Sequence, residues 1–155
     1  MHNEVKTLKE PLLFLCHRIP FPPNKGDKIT TFNLLKFLSK RYNIYLGTFI
    51  DDEFDKAYIS ELNKYCESLC CIDITKRSRA KSGISALFKG ETVTLEHFKS
   101  QELTQWIEES VTKAGIDKFF VYASSLIPFV NGETYKNKVK VGAPCSKNDT
   151  SRDEQ

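Results

Sequence analysis

The sequence has no apolar run approaching the roughly 20 residues that span a bilayer, and its polar start, MHNEVKTLKE, lacks the arrangement of a signal peptide. The cytoplasm is the expected compartment. Charge of one sign is scarce in excess: 23 Lys and Arg stand against 20 Asp and Glu, a net of +3 that gives no argument for a nucleic-acid partner. Cysteines are few and odd in number, at positions 16, 66, 70, 71 and 145, with no paired C-x-x-C spacing. That pattern supports neither a disulfide framework nor a zinc site, and leaves small buried hydrophobes as their role. Nucleophile elbow, P-loop and repeated-glycine dinucleotide fingerprint are all missing.

What is present is enough to fold. A hydrophobic fraction of 40% with 12% aromatic residues is too much for a disordered chain, and 155 residues suit one domain. Residues 12–16, LLFLC, form a continuous apolar run suited to a strand buried on both faces. Asp27 is placed to cap the helix that follows, with Ile29, Phe32, Leu35 and Leu38 facing inward. Residues 42–50, aromatic and β-branched, read as a second strand.

Asp51 and Asp52 then open a second expected helix, with Phe54, Tyr58, Leu62, Tyr65 and Cys66 at helical spacing. A third strand is expected at residues 69–74 and a short helix at residues 82–89. A longer helix is expected over residues 101–114, with Leu103, Ile107, Val111 and Ala114 on one stripe and Gly115 as its stop. Residues 118–123, KFFVYA, make a fourth strand that delivers Ser124 and Ser125 to its carboxyl end. This alternation predicts an α/β fold: a parallel sheet with right-handed crossovers and helices on both faces. Residues 1–10 read as an extension and residues 133–155 as a polar tail, in which only Val139 and Val141 hint at an edge strand.

The richest segment is PLLFLCHRIPFPPNKGDKITTF, residues 11–32, which orders a strand, a proline-stiffened loop, one glycine and a helix start. Ligands of open α/β sheets gather outside the carboxyl ends of strands, beside the free amides of helix starts. Gly26 allows tight turning and close backbone approach, while Lys25 and Lys28 add positive charge. The plainer alternative is that Gly26 turns the chain and Asp27 caps it.

His17 is the candidate for proton chemistry, with substrate contact or loop bracing as its other uses. Arg18 suits either an anion or a brace to Asp51 or Asp52. Prolines 20, 22 and 23 hold the loop open. The run KRSRAK places Lys76, Arg77, Arg79 and Lys81 next to apolar Ile84, Leu87 and Phe88. Such a run serves an anionic membrane or lipid-phosphate surface, or is simply solvated. Trp106 is assigned to the core rather than to an acceptor platform.

The combination of HRIP, PP, KGDK and LGTFxDD over residues 17–52 resembles the amino-terminal part of bacterial family-4 glycosyltransferases, in particular sugar transferases of exopolysaccharide and protein-sorting systems. The likeness extends more weakly to about Gly132. It implies residues 11–132 as the Rossmann-like, acceptor-side and incomplete amino-terminal half of a GT-B fold. A nucleotide sugar would be the co-substrate, with no cofactor or metal, and a saccharide or lipid-linked molecule the acceptor.

By the same resemblance Lys25, Gly26, Asp27 and Lys28 approach the donor diphosphate, and Ser124 and Ser125, standing where the family often has a histidine motif, are left with acceptor contact. No donor-binding domain is legible after Gly132. The expectation is therefore a truncated transferase, inactive alone and either cytoplasmic or peripheral at the inner face of the membrane. The alternative is a non-catalytic module binding a protein partner or an anionic membrane.

Overall fold

A computed structural model describes residues 8–75, 101–130, 135 and 139–141. The elements follow the chain as β1 (Glu10–Arg18), α1 (Gly26–Ser39), β2 (Tyr42–Ile50), a 3-10 turn (Glu53–Tyr58), α2 (Ile59–Leu62) and β3 (Cys66–Asp73). Then come α3 (Gln101–Ala114), β4 (Lys118–Tyr122), a second 3-10 turn (Ser124–Phe129) and β5 (Val139–Val141). All neighbouring strands are parallel, in the order β3-β2-β1-β4-β5. The expected α/β parallel sheet is present, and the hinted edge strand at Val139 and Val141 takes its place beside β4.

The apolar run of β1 works because both faces of the sheet are covered. Leu13 and Leu15 pack with Leu103 and Ile107 of α3, whereas Leu12, Phe14 and Cys16 pack with Leu35 of α1 and Leu62 of α2. The strand period of two thus sends alternate side chains into two separate cores. Gly47 on β2 lets α3 come close: a Cβ there would stand 2.7 Å from Leu15 Cδ2 and 3.0 Å from Leu103 Cδ1.

α3 stops as expected. Gly115 has φ +63°, and the Ile116 amide reaches back 3.2 Å to Val111 O in the six-to-one bond of a Schellman motif. Ile116 itself is buried and seals the end apolarly. Trp106 packs partly buried against the same core.

The second crossover differs from expectation. No continuous helix runs from Asp51 to Cys66: six residues are 3-10, four are α, and Cys66 already belongs to β3. The connection between parallel strands must travel back along the sheet, and a 3-10 segment advances about 2.0 Å per residue against about 1.5 Å in an α-helix. Asp52 starts it by accepting the Phe54 amide at 3.1 Å. Phe54, assigned inward by helical spacing, is instead 84% exposed.

α1 is also rotated from its expected stripe. Lys28, Thr31, Phe32 and Leu35 are its buried positions, and Ile29 is exposed. The cause is a partner that spacing cannot reveal: Lys28 Nζ meets Asp55 Oδ2 at 2.5 Å, both side chains being nearly inaccessible. No helix among the described residues is long and apolar enough to cross a membrane. The short helix at 82–89 lies outside the described residues, as does most of the polar tail.

Candidate functional site

The strand order fixes where the carboxyl ends open. Chain order reverses between β1, which turns toward β2, and β4 on its other side, and such a reversal leaves a crevice outside the carboxyl ends. β1 ends at Arg18, β2 at Ile50 and β4 at Tyr122, so His17, Arg18, Asp51, Ser124 and Ser125 all reach this edge. The start of α1 comes to it as well.

A bulge shapes the end of β1. Cys16 pairs with Thr48 and Arg18 with Phe49, which leaves His17 as the extra residue. Parity then flips: Ile19 joins the core of Leu12, Phe14 and Cys16 although it is odd-numbered. The Ile19 amide resumes pairing with Phe49 O at 3.1 Å. His17 and Arg18 are thereby left half-buried at the edge instead of entering either core.

Arg18 is the centre of the site. Its Nε lies 2.9 Å from Asp51 Oδ2 and its Nη1 3.6 Å from Asp27 Oδ2. One guanidinium therefore ties the end of β2 to the first turn of α1. Of the two uses expected for Arg18, the brace to Asp51 is the one the geometry displays, and Asp52 is occupied instead with the Phe54 amide.

The cap of α1 is Lys25, with extended backbone and no side-chain cap bond; Asp27 lies inside the first turn. The expected capping role of Asp27 is corrected accordingly. Its carboxylate still sits favourably at the positive end of the helix while serving Arg18. Ile29 N closes the first helical bond to Lys25 O at 2.8 Å, so the earlier amides of the turn have no intrahelical acceptor.

Gly26 opens the helix without a left-handed φ, and a Cβ built on it meets nothing within 4 Å. Its special value is thus room above the backbone, not an unusual dihedral. Lys25 is exposed beside it, whereas the charge of Lys28 is directed inward to Asp55 and away from the loop. Lys25 is the lysine of KGDK that stays at the surface.

Aromatic rings hold the proline loop. The Phe21 ring stands edge-on to Phe32 at 5.1 Å and to Tyr58 at 5.6 Å, joining the loop to α1 and to the 3-10 turn. Beneath, Cys16 Sγ lies 3.5 Å from Thr48 Oγ1 and 3.3 Å from Arg18 O. Burial pushes this thiol up to about 12, so it stays protonated and inert at neutral pH.

At the end of β4, Ser124 is exposed and Ser125 half-buried at the start of a 3-10 turn anchored by Leu126 and Phe129 in the core. A hollow of about 300 Å³ beside Tyr45, Ser68 and Trp106 lies toward the amino-terminal half of the strands and does not belong to this edge. Among the described residues no group of three or more His, Cys, Asp or Glu is placed to hold a metal ion. Lys76, Arg77, Arg79 and Lys81 lie outside the described residues.

The edge therefore brings together His17, Arg18, Lys25, Gly26, Asp27, Ser124 and Ser125, while Lys28 is drawn into the interior by Asp55. Asp55 had no signal in the sequence beyond being one acid among several. No family model, no curated protein and no solved structure matches the chain.

Proposed function

We propose that this carboxyl edge is the acceptor-side wall of a sugar-transfer cleft, and that the domain is the Rossmann-like, amino-terminal kind of half found in GT-B glycosyltransferases. One observation carries the reading: Arg18 of HRIP, Asp27 of KGDK and Asp51 of LGTFxDD, three separate pieces of the resemblance, are joined by ion pairs at a single place. Motifs far apart in the chain need a shared site to have a shared purpose.

The chemistry agrees with a sugar-handling wall. Carboxylates and a guanidinium joined at one place present acceptors and donors suited to vicinal hydroxyls, and the mutual neutralisation of Arg18 by Asp27 and Asp51 leaves it a poor trap for a free anion. Phosphate oxygens of a donor would instead meet Lys25 and the open amides around Gly26. Ser124 and Ser125 offer hydroxyls from the other side of the crevice. His17, re-aimed by the bulge, is a contact residue in this reading, and no proton transfer is assigned to it.

Titration of the isotopically labelled chain with uridine- and guanosine-diphosphate sugars, followed by amide NMR, tests the proposal. At least one sugar nucleotide is expected to shift the signals of Lys25, Gly26 and Asp27, and Arg18→Gln is expected to weaken that response by freeing both carboxylates. Absence of any response at the α1 start across the series would remove the transferase reading.

A further inference from the structure

Between α3 and the sheet, a hollow of about 300 Å³ opens beside Tyr45 of β2, Ser68 of β3 and Trp106, Glu109, Ser110 and Lys113 of α3. Tyr45 and Ser68 are ladder partners, so the two side chains stand next to each other on one face of the sheet. Trp106 comes from the helix, its Cζ3 standing 3.3 Å from where a Cβ on Gly47 would be. The glycine that admits α3 to the sheet thus admits the indole as well.

A bulge decides which side chain of β3 reaches this space. Ile44 pairs with Cys66 and Tyr45 with Ser68, which leaves Glu67 as the extra residue. Cys66, Leu69 and Cys71 accordingly pack on the α1 side, and Cys70 and Ile72 on the α3 side. Were Glu67 an ordinary ladder residue, it would pair with Tyr45 and bring a carboxylate to the hollow. The bulge brings a hydroxyl there instead and leaves Glu67 exposed.

The polar groups around the hollow are uncommitted. Among the described residues, the hydroxyls of Tyr45, Ser68 and Ser110 and the indole N–H of Trp106 make no hydrogen bond to protein. Ser110 is only 8% exposed, and every side-chain N or O atom fully closed to solvent has a partner, so its hydroxyl is part of what stays open. The charges of Glu109 and Lys113 neutralise each other at 3.3 Å.

We infer that this hollow is a binding site for a small uncharged planar heterocycle of the nucleobase kind, a second site independent of the carboxyl edge. Two aromatic side chains from different elements offer apolar faces to a flat ring, and four unpartnered donors and acceptors are available to its polar rim. The volume is at the small end for a ligand pocket and suits one ring system. A phosphate or a free cation would meet no unpaired charge of opposite sign. Saccharide hydroxyls match less well, because the one carboxylate of the lining is already taken by Lys113 and Gln105.

Trp106 is the sole tryptophan of the chain, so its fluorescence reports on the hollow. Adenine, uracil and nicotinamide are titrated into the full chain, and at least one is expected to quench that fluorescence saturably. Tyr45→Phe and Ser110→Ala are each expected to weaken binding about threefold to tenfold, the weight of one hydrogen bond. Ser68→Leu, which fills the space beside Tyr45, is expected to abolish it. Thr112→Ala, on the exposed side of α3, is expected to leave it unchanged. Thermal melts check folding, and the two hydroxyl variants decide the matter should Ser68→Leu fail to fold.

Saturable quenching by none of the three heterocycles overturns the inference. So does quenching that is unaltered in Tyr45→Phe and Ser110→Ala, which would place the contact elsewhere on the indole. Toluene or methyl glucoside binding as tightly as the best heterocycle also overturns it, making the hollow a plain apolar crevice or a saccharide site. The nucleotide-sugar titration reads the start of α1 and this one the opposite half of the strands, so each idea fails without the other.

Discussion

Asp55→Ala is the substitution that most sharply tests how the candidate site is held. The Lys28 and Asp55 side chains are 2% and 6% exposed, with Nζ and Oδ2 2.5 Å apart. Removing the acid leaves an ammonium in a space closed to water, and breaking a buried pair from one side costs about 3–5 kcal/mol. That is a large share of the roughly 5–15 kcal/mol that holds an ordinary domain together. With a urea m-value of about 2 kcal/mol/M, the unfolding midpoint should fall by about 2 M.

The companion variant separates charge from packing. Lys28→Met with Asp55→Leu fills the same region with apolar groups, and exchanges of this kind are neutral or stabilising by about 1–4 kcal/mol. The double variant should therefore recover the midpoint that Asp55→Ala loses. Glu61→Ala, which breaks the exposed pair with Lys64, serves as the control and should leave the unfolding midpoint essentially where it is. A loss below about 1 kcal/mol for Asp55→Ala would place the Lys28 pair with such surface pairs and refute the reasoning.

Three further outcomes can be measured. Gly47→Ala forces a Cβ to within 2.7 Å of Leu15 and 3.0 Å of Leu103, and overpacking of this kind should cost about 1–3 kcal/mol in urea denaturation. Gly26→Ala meets nothing within 4 Å and should leave stability unchanged or raise it by about 0.5 kcal/mol, because alanine favours the helix. Hydrogen bonds from Lys56 and Thr75 lower the Asp73 carboxyl to about 2, below its ordinary 3.8. The stability it lends is present above pH 3.8 and is lost as pH falls toward 2. Carbon-detected titration should give that low midpoint, and Lys56→Ala should raise it.

The parallel sheet was legible because its signals are local. A run such as LLFLC can only be buried on both faces, and Gly115 ends α3 by a conformation the residue itself favours. The crossover after β2 departs from its helical spacing for the opposite reason. Helical spacing of Phe54, Tyr58 and Leu62 is a local pattern too, but Asp55 answers to Lys28, 27 residues earlier, and the pair turns Phe54 outward. Period alone registers apolar positions and has no means of recognising a buried charge with a distant partner.

The same distinction governs the site. Arg18, Asp27 and Asp51 are visible in the sequence as polar residues near strand and helix ends, yet three such residues do not imply contact. Their convergence depends on β1 and β2 being parallel neighbours and on the bulge at His17, which shifts the end of β1 by one residue. Were His17 an ordinary ladder residue instead of a bulge, the alternation of β1 would place Ile19 with Leu13 and Leu15 on the α3 side instead of with Leu12, Phe14 and Cys16. Deleting His17 would straighten the ladder while keeping Arg18 opposite Phe49 and Ile19 on the Cys16 face, whereas replacing it keeps the bulge. The structural value of position 17 lies in its presence in the strand, and any value in binding lies in its ring; His17→Ala keeps the first and removes the second.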